Sequence, residues 1–360
     1  MRFARTFLLL AAATFAGGCT TLGYYAQAVG GQLDILARTR PIAELLDGTP
    51  ADAEFPDVAP VLAPDVKTRL ATILRVHDFA TRALGLPDNN SFRVYAQIDR
   101  AQVAWNVVAT PEFSFTPKQW CFPVAGCVPY RGYFSHESAQ QFAATLKQER
   151  LDVRVAGVPA YSTLGWFADP VFSSQLRRSD ADIAALIFHE LAHQEVYQRG
   201  DTAFNESFAT TVEIEGLRRW LAQSNDATTS DIARRNKARH AQFVELLLKY
   251  RARLETLYAM PLQVEPMRAA KAGEFEALRA EYAVLRQQWG GHDGYDAWFA
   301  QDINNAHLAS VGIYHQYVPA FQKMLAEVHG DLPAFYRLAR ALSKLPAVER
   351  ATRFAQLGIK

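Results

Sequence analysis

The chain has 360 residues, 49% of them hydrophobic and 12% aromatic, enough for one large core or two ordinary ones. Its 38 lysines and arginines nearly cancel its 37 aspartates and glutamates, and the cations are scattered rather than gathered into a stripe, which argues against nucleic acid as a partner.

The first residues read MRFARTFLLLAAATFAGGC. Arg2 and Arg5 form a positive head and Phe7 to Phe15 a short apolar run, too short to span a bilayer as a mature helix, so residues 1–18 have the pattern of an export signal. AGGC at Ala16 to Cys19 resembles the lipobox of bacterial lipoproteins, although Ala16 stands where leucine is commonest. That resemblance implies acylation of Cys19 and a membrane-tethered protein of the cell envelope, facing the periplasm and expected at the outer membrane. The polar Thr20 and Thr21 follow, and the other two cysteines can pair with each other, which leaves Cys19 without a protein partner.

Residues 19–65 form the anchor, a helix and a linker. Leu22 to Leu46 has helical character broken by Gly30, Gly31 and Pro41, and a proline-rich stretch runs from Gly48 to Pro64. The main domain, 66–360, opens with apolar residues at helical spacing over Val66 to Leu84, stopped by Gly85 and Pro87. Strands are expected at Phe92–Ile98, Val103–Thr110, Leu151–Val158 and Tyr161–Phe167, all rich in β-branched and aromatic residues. Between the second and third, five residues including Pro123 and Gly126 separate Cys121 from Cys127, so a tight disulfide-closed loop is geometrically plausible in an oxidising compartment. From Ser179 onward the composition is helical almost throughout, with exposed-looking helices at Asp231–Tyr258 and Glu274–Trp289, and a polar-rich helix at Asn304–Phe321. Charge runs such as ARRNKARH read as a solvated face. The fold class is α+β and predominantly helical, with a small sheet ahead of the helix that opens near Ser179 and Asp180.

That helix carries the chemistry. FHELAHQEVYQRGDTAFNESFATTVE, Phe188 to Glu213, follows an apolar run, and burying such polar groups without partners costs roughly 2 to 7 kcal/mol for even a neutral one. His189 and His193, four apart, share one helical face, and Glu190 lies beside them: an HExxH pattern able to hold one Zn²⁺ and a water. A catalytic zinc takes three protein ligands and keeps a fourth position open. Two carboxylates compete for the third place. Glu213, twenty residues after His193, matches the interval of thermolysin-like peptidases, whereas Glu206 is thirteen residues after it. Gly200 and Asp201 supply the turn and the helix start between the two helices.

HELAHQ followed by NESFATTVE resembles the glutamate-zincin aminopeptidases, with a connection six residues shorter. In that register Glu206 is the third ligand, and Glu213 and Asn205 support the ligands; such groups orient a ligating histidine through its other ring nitrogen. GYYAQAVGGQL, WCFPVAGCVPYRGYF, YSTLGWFADPV and NNAHLASVGIYHQYVPAF extend the resemblance to a bacterial lipoprotein family described as zinc aminopeptidases, across most of the mature chain. The family resemblance implies a zincin-like domain, one zinc, a peptide substrate and hydrolysis with Glu190 as base. A segment like the GAMEN motif, which in those aminopeptidases helps bind the substrate's free N-terminus, is missing, so an endopeptidase with the same site stays open. A non-catalytic envelope protein with a zinc ion is the reading from another class, and Glu190 argues against it, since structural zinc needs no adjacent base.

Tyr314 resembles the tyrosine that hydrogen-bonds the oxyanion in glutamate zincins, with His307 as the alternative donor. Asn304 and Asn305 on the same expected helix are candidate substrate contacts. So are Tyr161 and Ser162, because a peptide commonly adds as a strand beside the metal helix and VPAYSTLGWF immediately precedes it. The oligomeric state is not legible.

Overall fold

The computed structural model describes residues 23–47, 63–122, 126–160, 162–223 and 227–358. Cys19 and Tyr161 lie outside them, as does most of the expected signal and linker. In chain order the elements are α1 (23–38), β1 (Thr39–Pro41), α2 (Ile42–Asp47), α3 (Pro64–Leu84), β2 (Val94–Ala96), β3 (Ala104–Pro111), β4 (Trp120–Phe122), β5 (Gly126–Val128), β6 (Arg131–Tyr133), α4 (His136–Gln148), β7 (Leu151–Val158), β8 (Val171–Phe172), α5 (Asp180–Glu195) and α6 (Thr202–Gln223). Seven more follow: α7 (Ala227–Tyr258), α8 (Val264–Gln288), α9 (Asp296–Phe299), α10 (Asn305–His315), α11 (Val318–Glu327), α12 (Leu332–Ser343) and α13 (Ala347–Gln356). The chain is mostly helical with small sheets, as the sequence led us to expect of an α+β protein.

The sheets are short and separate. One is ordered β6-β3-β7, antiparallel throughout, with Ala104 opposite Val158 and Pro111 opposite Leu151; another is β1-β2-β8; the third is the β4-β5 hairpin. Cys121 and Cys127 face each other across that hairpin and are disulfide-bonded, the pairing the sequence suggested. Helix α4 buries Ala139, Ala143 and Leu146 against Val107, Ala109 and Val153 of β3 and β7. The main core gathers α3, α5, α6 and α11 to α13 around Phe188, Phe204, Phe208, Phe321 and Phe335. Gly216 of α6 is placed by contact rather than by conformation, since a β-carbon there would come within 2.8 Å of both Leu84 Cδ1 and Phe188 Cδ2.

Four expectations are corrected. Residues 162–167 form a turn rather than a strand, because Leu164 and Gly165 both take left-handed φ (57° and 81°). Asp169, buried beneath that turn, accepts hydrogen bonds from Thr163 N, Thr163 Oγ1 and Ser162 Oγ. The helix expected over Asn304–Phe321 is two, broken at Gln316 and Tyr317, because Pro319 has no N–H to give to residue 315 and its ring collides with that carbonyl. The strand expected over Phe92–Ile98 shrinks to Val94–Ala96, with Phe92 at φ 61°. The first helix runs through Gly30 and Gly31 and ends at Arg38, ahead of the strand containing Pro41.

Candidate active site

Helix α5 begins where Ser179 accepts a hydrogen bond from Asp182 N, with Asp180 and Asp182 favourably placed in its first turn. Ile183, Ala184, Ile187, Phe188, Leu191 and Ala192 bury one face. The opposite face, with Asp182, Leu186, His189, Glu190 and His193, lines a cleft of about 1170 Å³. Helix α6 begins after Gly200 (φ 81°), where Asp201 Oδ1 accepts from Phe204 N, and its Phe204, Phe208 and Val212 lock it against α5. Asn205 clamps the turn between the two helices, accepting from Gln198 N at 2.7 Å and donating to Gln198 O at 2.8 Å. This fixes the start of α6 and so the position of Glu206.

The two carboxylates meet different atoms of His189. Glu206 Oε2 is 3.2 Å from His189 Nε2 and 3.7 Å from His193 Nε2, while Glu213 Oε2 is 3.0 Å from His189 Nδ1. With Nδ1–H donating to Glu213, Nε2 of His189 faces the Glu206 carboxylate, a position that either a proton on the ring or a metal ion between the two would fill. The spacing suits zinc. Ligand bonds of 2.0–2.1 Å in a tetrahedron put ligand atoms about 3.3 Å apart, and one atom each from His189, His193 and Glu206 all lie within 4.8 Å of one another. The residues present therefore fit the ion, and Glu213 lies where it would orient His189. Glu213→Ala should weaken zinc affinity on the order of 10- to 100-fold, measurable by competition with a chelator. If Glu213→Ala loses the metal outright while Glu206→Ala keeps it, the assignments are exchanged.

The charges in this pocket interact strongly. Burial alone would raise the Glu206 carboxyl, but His193 and His189 overcome it and hold the group at about 2. Burial also pulls down the His189 imidazole, and its hydrogen bonds to Glu206 and Glu213 more than reverse that. Glu190, which lines the cleft beside His189 and His193, is raised mainly by burial. The nearby Glu206 charge, then burial, pushes the Tyr314 phenol up, so it stays a proton donor. Tyr314 keeps 40% of its surface accessible from the cleft, and its backbone is tied to α6 through Ser207, whose Oγ reaches Tyr314 O at 3.5 Å.

The other expected site residues divide. Ser162 lines the cleft, bonded to Asp169. Asn304, Asn305 and His307 do not line it. Asn304 caps α10 and donates to Val153 O, Asn305 is buried with its amide on Glu112 O and Ser114 O, and His307 is buried against Trp298 with Nδ1 accepting from Asn304 N. Burial, then Arg154, lowers the His307 imidazole to about 3.

Other cleft residues were not singled out from the sequence. Tyr130 lies just after the disulfide hairpin, and burial, then the charge of Glu206, raises its phenol. Tyr24 of α1 stacks with Phe122 and sits under the Arg131 guanidinium, 4.1 Å away. Gln27 of α1 takes the free edge of β6, accepting from Phe134 N at 3.1 Å. Gln194 of HELAHQ also has a place: it accepts from Asn89 Nδ2 and donates to Ser91 Oγ and Asp169, fastening the 162–169 turn to α5.

A family model described as "Putative aminopeptidase" matches residues 23–354. No curated protein and no solved structure gives a significant match.

Proposed function

The chain belongs to the family described as "Putative aminopeptidase", and from that premise we propose that it is a zinc-dependent peptidase of the cell envelope, tethered through Cys19, that removes residues from the free N-termini of peptides. One observation carries the reading: a single carboxylate oxygen, Glu206 Oε2, reaches the Nε2 atoms of both HExxH histidines on the wall of a cleft that also holds Glu190 and Tyr314.

His189, His193 and Glu206 would hold the ion, and Glu213 would keep His189 in the tautomer that offers Nε2. When bound, zinc supplies Lewis-acid activation of water and of the scissile carbonyl. Glu190 takes a proton from the attacking water and returns it to the departing amine, so one side chain serves as base and then acid. The Tyr314 hydroxyl donates to the oxygen on which negative charge develops, and its raised pKa keeps that proton in place. The cleft is large enough for several peptide residues.

Peptide libraries with free and with acetylated N-termini test the exopeptidase choice. Sequential release of N-terminal residues from free peptides, with acetylated ones resistant, is the expected result. Equal internal cleavage of both would make the protein an endopeptidase with the same metal site.

A further inference from the structure

Helix α1 presents an apolar stripe at the surface: Tyr25, Val29 and Leu33, at i, i+4 and i+8, are 39%, 58% and 60% exposed. Tyr25 itself lines the cleft together with Tyr24, Ala28 and Gln32 of the neighbouring face, so the stripe starts at the rim. On the cleft's lining stands the turn of Leu164, Trp166 and Phe167, which are 36%, 79% and 48% exposed. Tyr25 and this turn border the same cleft, and soluble surfaces rarely leave so many large apolar side chains exposed around one opening without a use. The turn is not loose: Gln194 and Asp169 pin it to α5, so its aromatic residues are held outward.

We propose that this rim is a bilayer-contact surface, seating the mouth of the cleft on the lipid interface, so that the substrates are peptides displayed at the membrane surface. Chain connectivity favours lipid as the occupant. Cys19 is four residues before Gly23, where α1 begins, and four extended residues reach at most about 14 Å. An acyl chain on Cys19 therefore brings the start of α1, and with it Tyr25 and the cleft rim, to the membrane. No described helix is long and apolar enough to cross a membrane, so contact is by lying on the surface. Tryptophan and other aromatic residues suit that interface, where an apolar body meets a wet edge. Peptides in free solution reach such a mouth less readily than peptides held on the same bilayer, whose local concentration there is higher.

The substrate half of this inference rests on the peptidase reading and the surface half on the lipid tether at Cys19, so two measurements separate them. The full lipidated protein is reconstituted on phosphatidylethanolamine–phosphatidylglycerol vesicles with and without brominated acyl chains. The emission of Trp166 is isolated by subtracting that of Trp166→Phe; we expect a blue shift on vesicles and a loss of intensity with brominated lipid. The same peptide is then offered free or attached to the vesicles by an acyl chain. Wild type should favour the attached form, and Val29→Ser/Leu33→Ser, both outside the cleft, should lose that preference while hydrolysing the free peptide normally. Trp166 emission indifferent to brominated lipid overturns the proposal, whether the rim is then covered by residues 19–22 or by a second copy, which sedimentation identifies. If neither peptide is hydrolysed, the peptidase reading fails and the quenching still decides the surface. Should mass analysis find Cys19 unmodified, the same quenching on protein added from solution decides it.

Discussion

Glu190→Gln should retain zinc and lose peptide hydrolysis, with kcat falling roughly 10²- to 10⁴-fold, the range for removing a positioned acid–base group. Glutamine keeps the size and shape of the side chain, so the packing of α5 and the ligand atoms of His189, His193 and Glu206 are undisturbed. What it lacks is the ability to accept the proton of the attacking water. Glu190 sits on the cleft wall beside the ligands but is not one of the three residues that converge on a common point. Metal content and kcat measured on the same preparation separate the two roles. A variant that hydrolyses peptides at the wild-type rate removes Glu190 from the mechanism, and one that loses zinc makes it a ligand.

Tyr314→Phe should lower kcat on the order of 10²- to 10³-fold with little change in KM, because the donor acts where charge develops and not on the ground-state peptide. Tyr130 is the comparison, since its phenol shares the cleft and feels the charges of both Glu206 and Glu190. A normal Tyr314→Phe alongside a crippled Tyr130→Phe would transfer the role to Tyr130. His307→Ala should behave differently from either. Its ring is buried in the first turn of α10, so the change should lower the melting temperature and leave turnover per folded molecule intact.

The cluster of His189, His193 and Glu206 was largely legible because most of it is local. HELAHQ fixes three side chains by helical spacing alone, and Ser179 and Gly200–Asp201 mark where the two helices begin. Raw spacing favoured Glu213 and the words NESFATTVE favoured Glu206; the two lie on one face of α6 and each contacts a different nitrogen of His189. The cleft's far wall was not legible, since Tyr130 and Tyr24 are brought there by sheet register and by the packing of α1 rather than by any periodic pattern. Tyr161–Phe167 has strand composition, yet over 162–167 hydrogen bonds to Asp169 and the left-handed pair Leu164–Gly165 decide the shape. Helix α4 escaped notice because its buried face is made of Ala139, Ala143 and Leu146, too small to stand out from the polar residues around them.

The central claim is that His189, His193 and Glu206 hold a catalytic zinc, and metal analysis of the purified, dialysed protein beside Glu206→Ala tests it most directly. About one zinc per chain in the wild type, as a single three-ligand site requires, with peptide hydrolysis that a chelator abolishes and zinc restores, and neither metal nor activity in Glu206→Ala, is the predicted result. A wild-type protein that hydrolyses peptides without bound metal, or a Glu206→Ala variant that keeps its full complement of zinc, would contradict it.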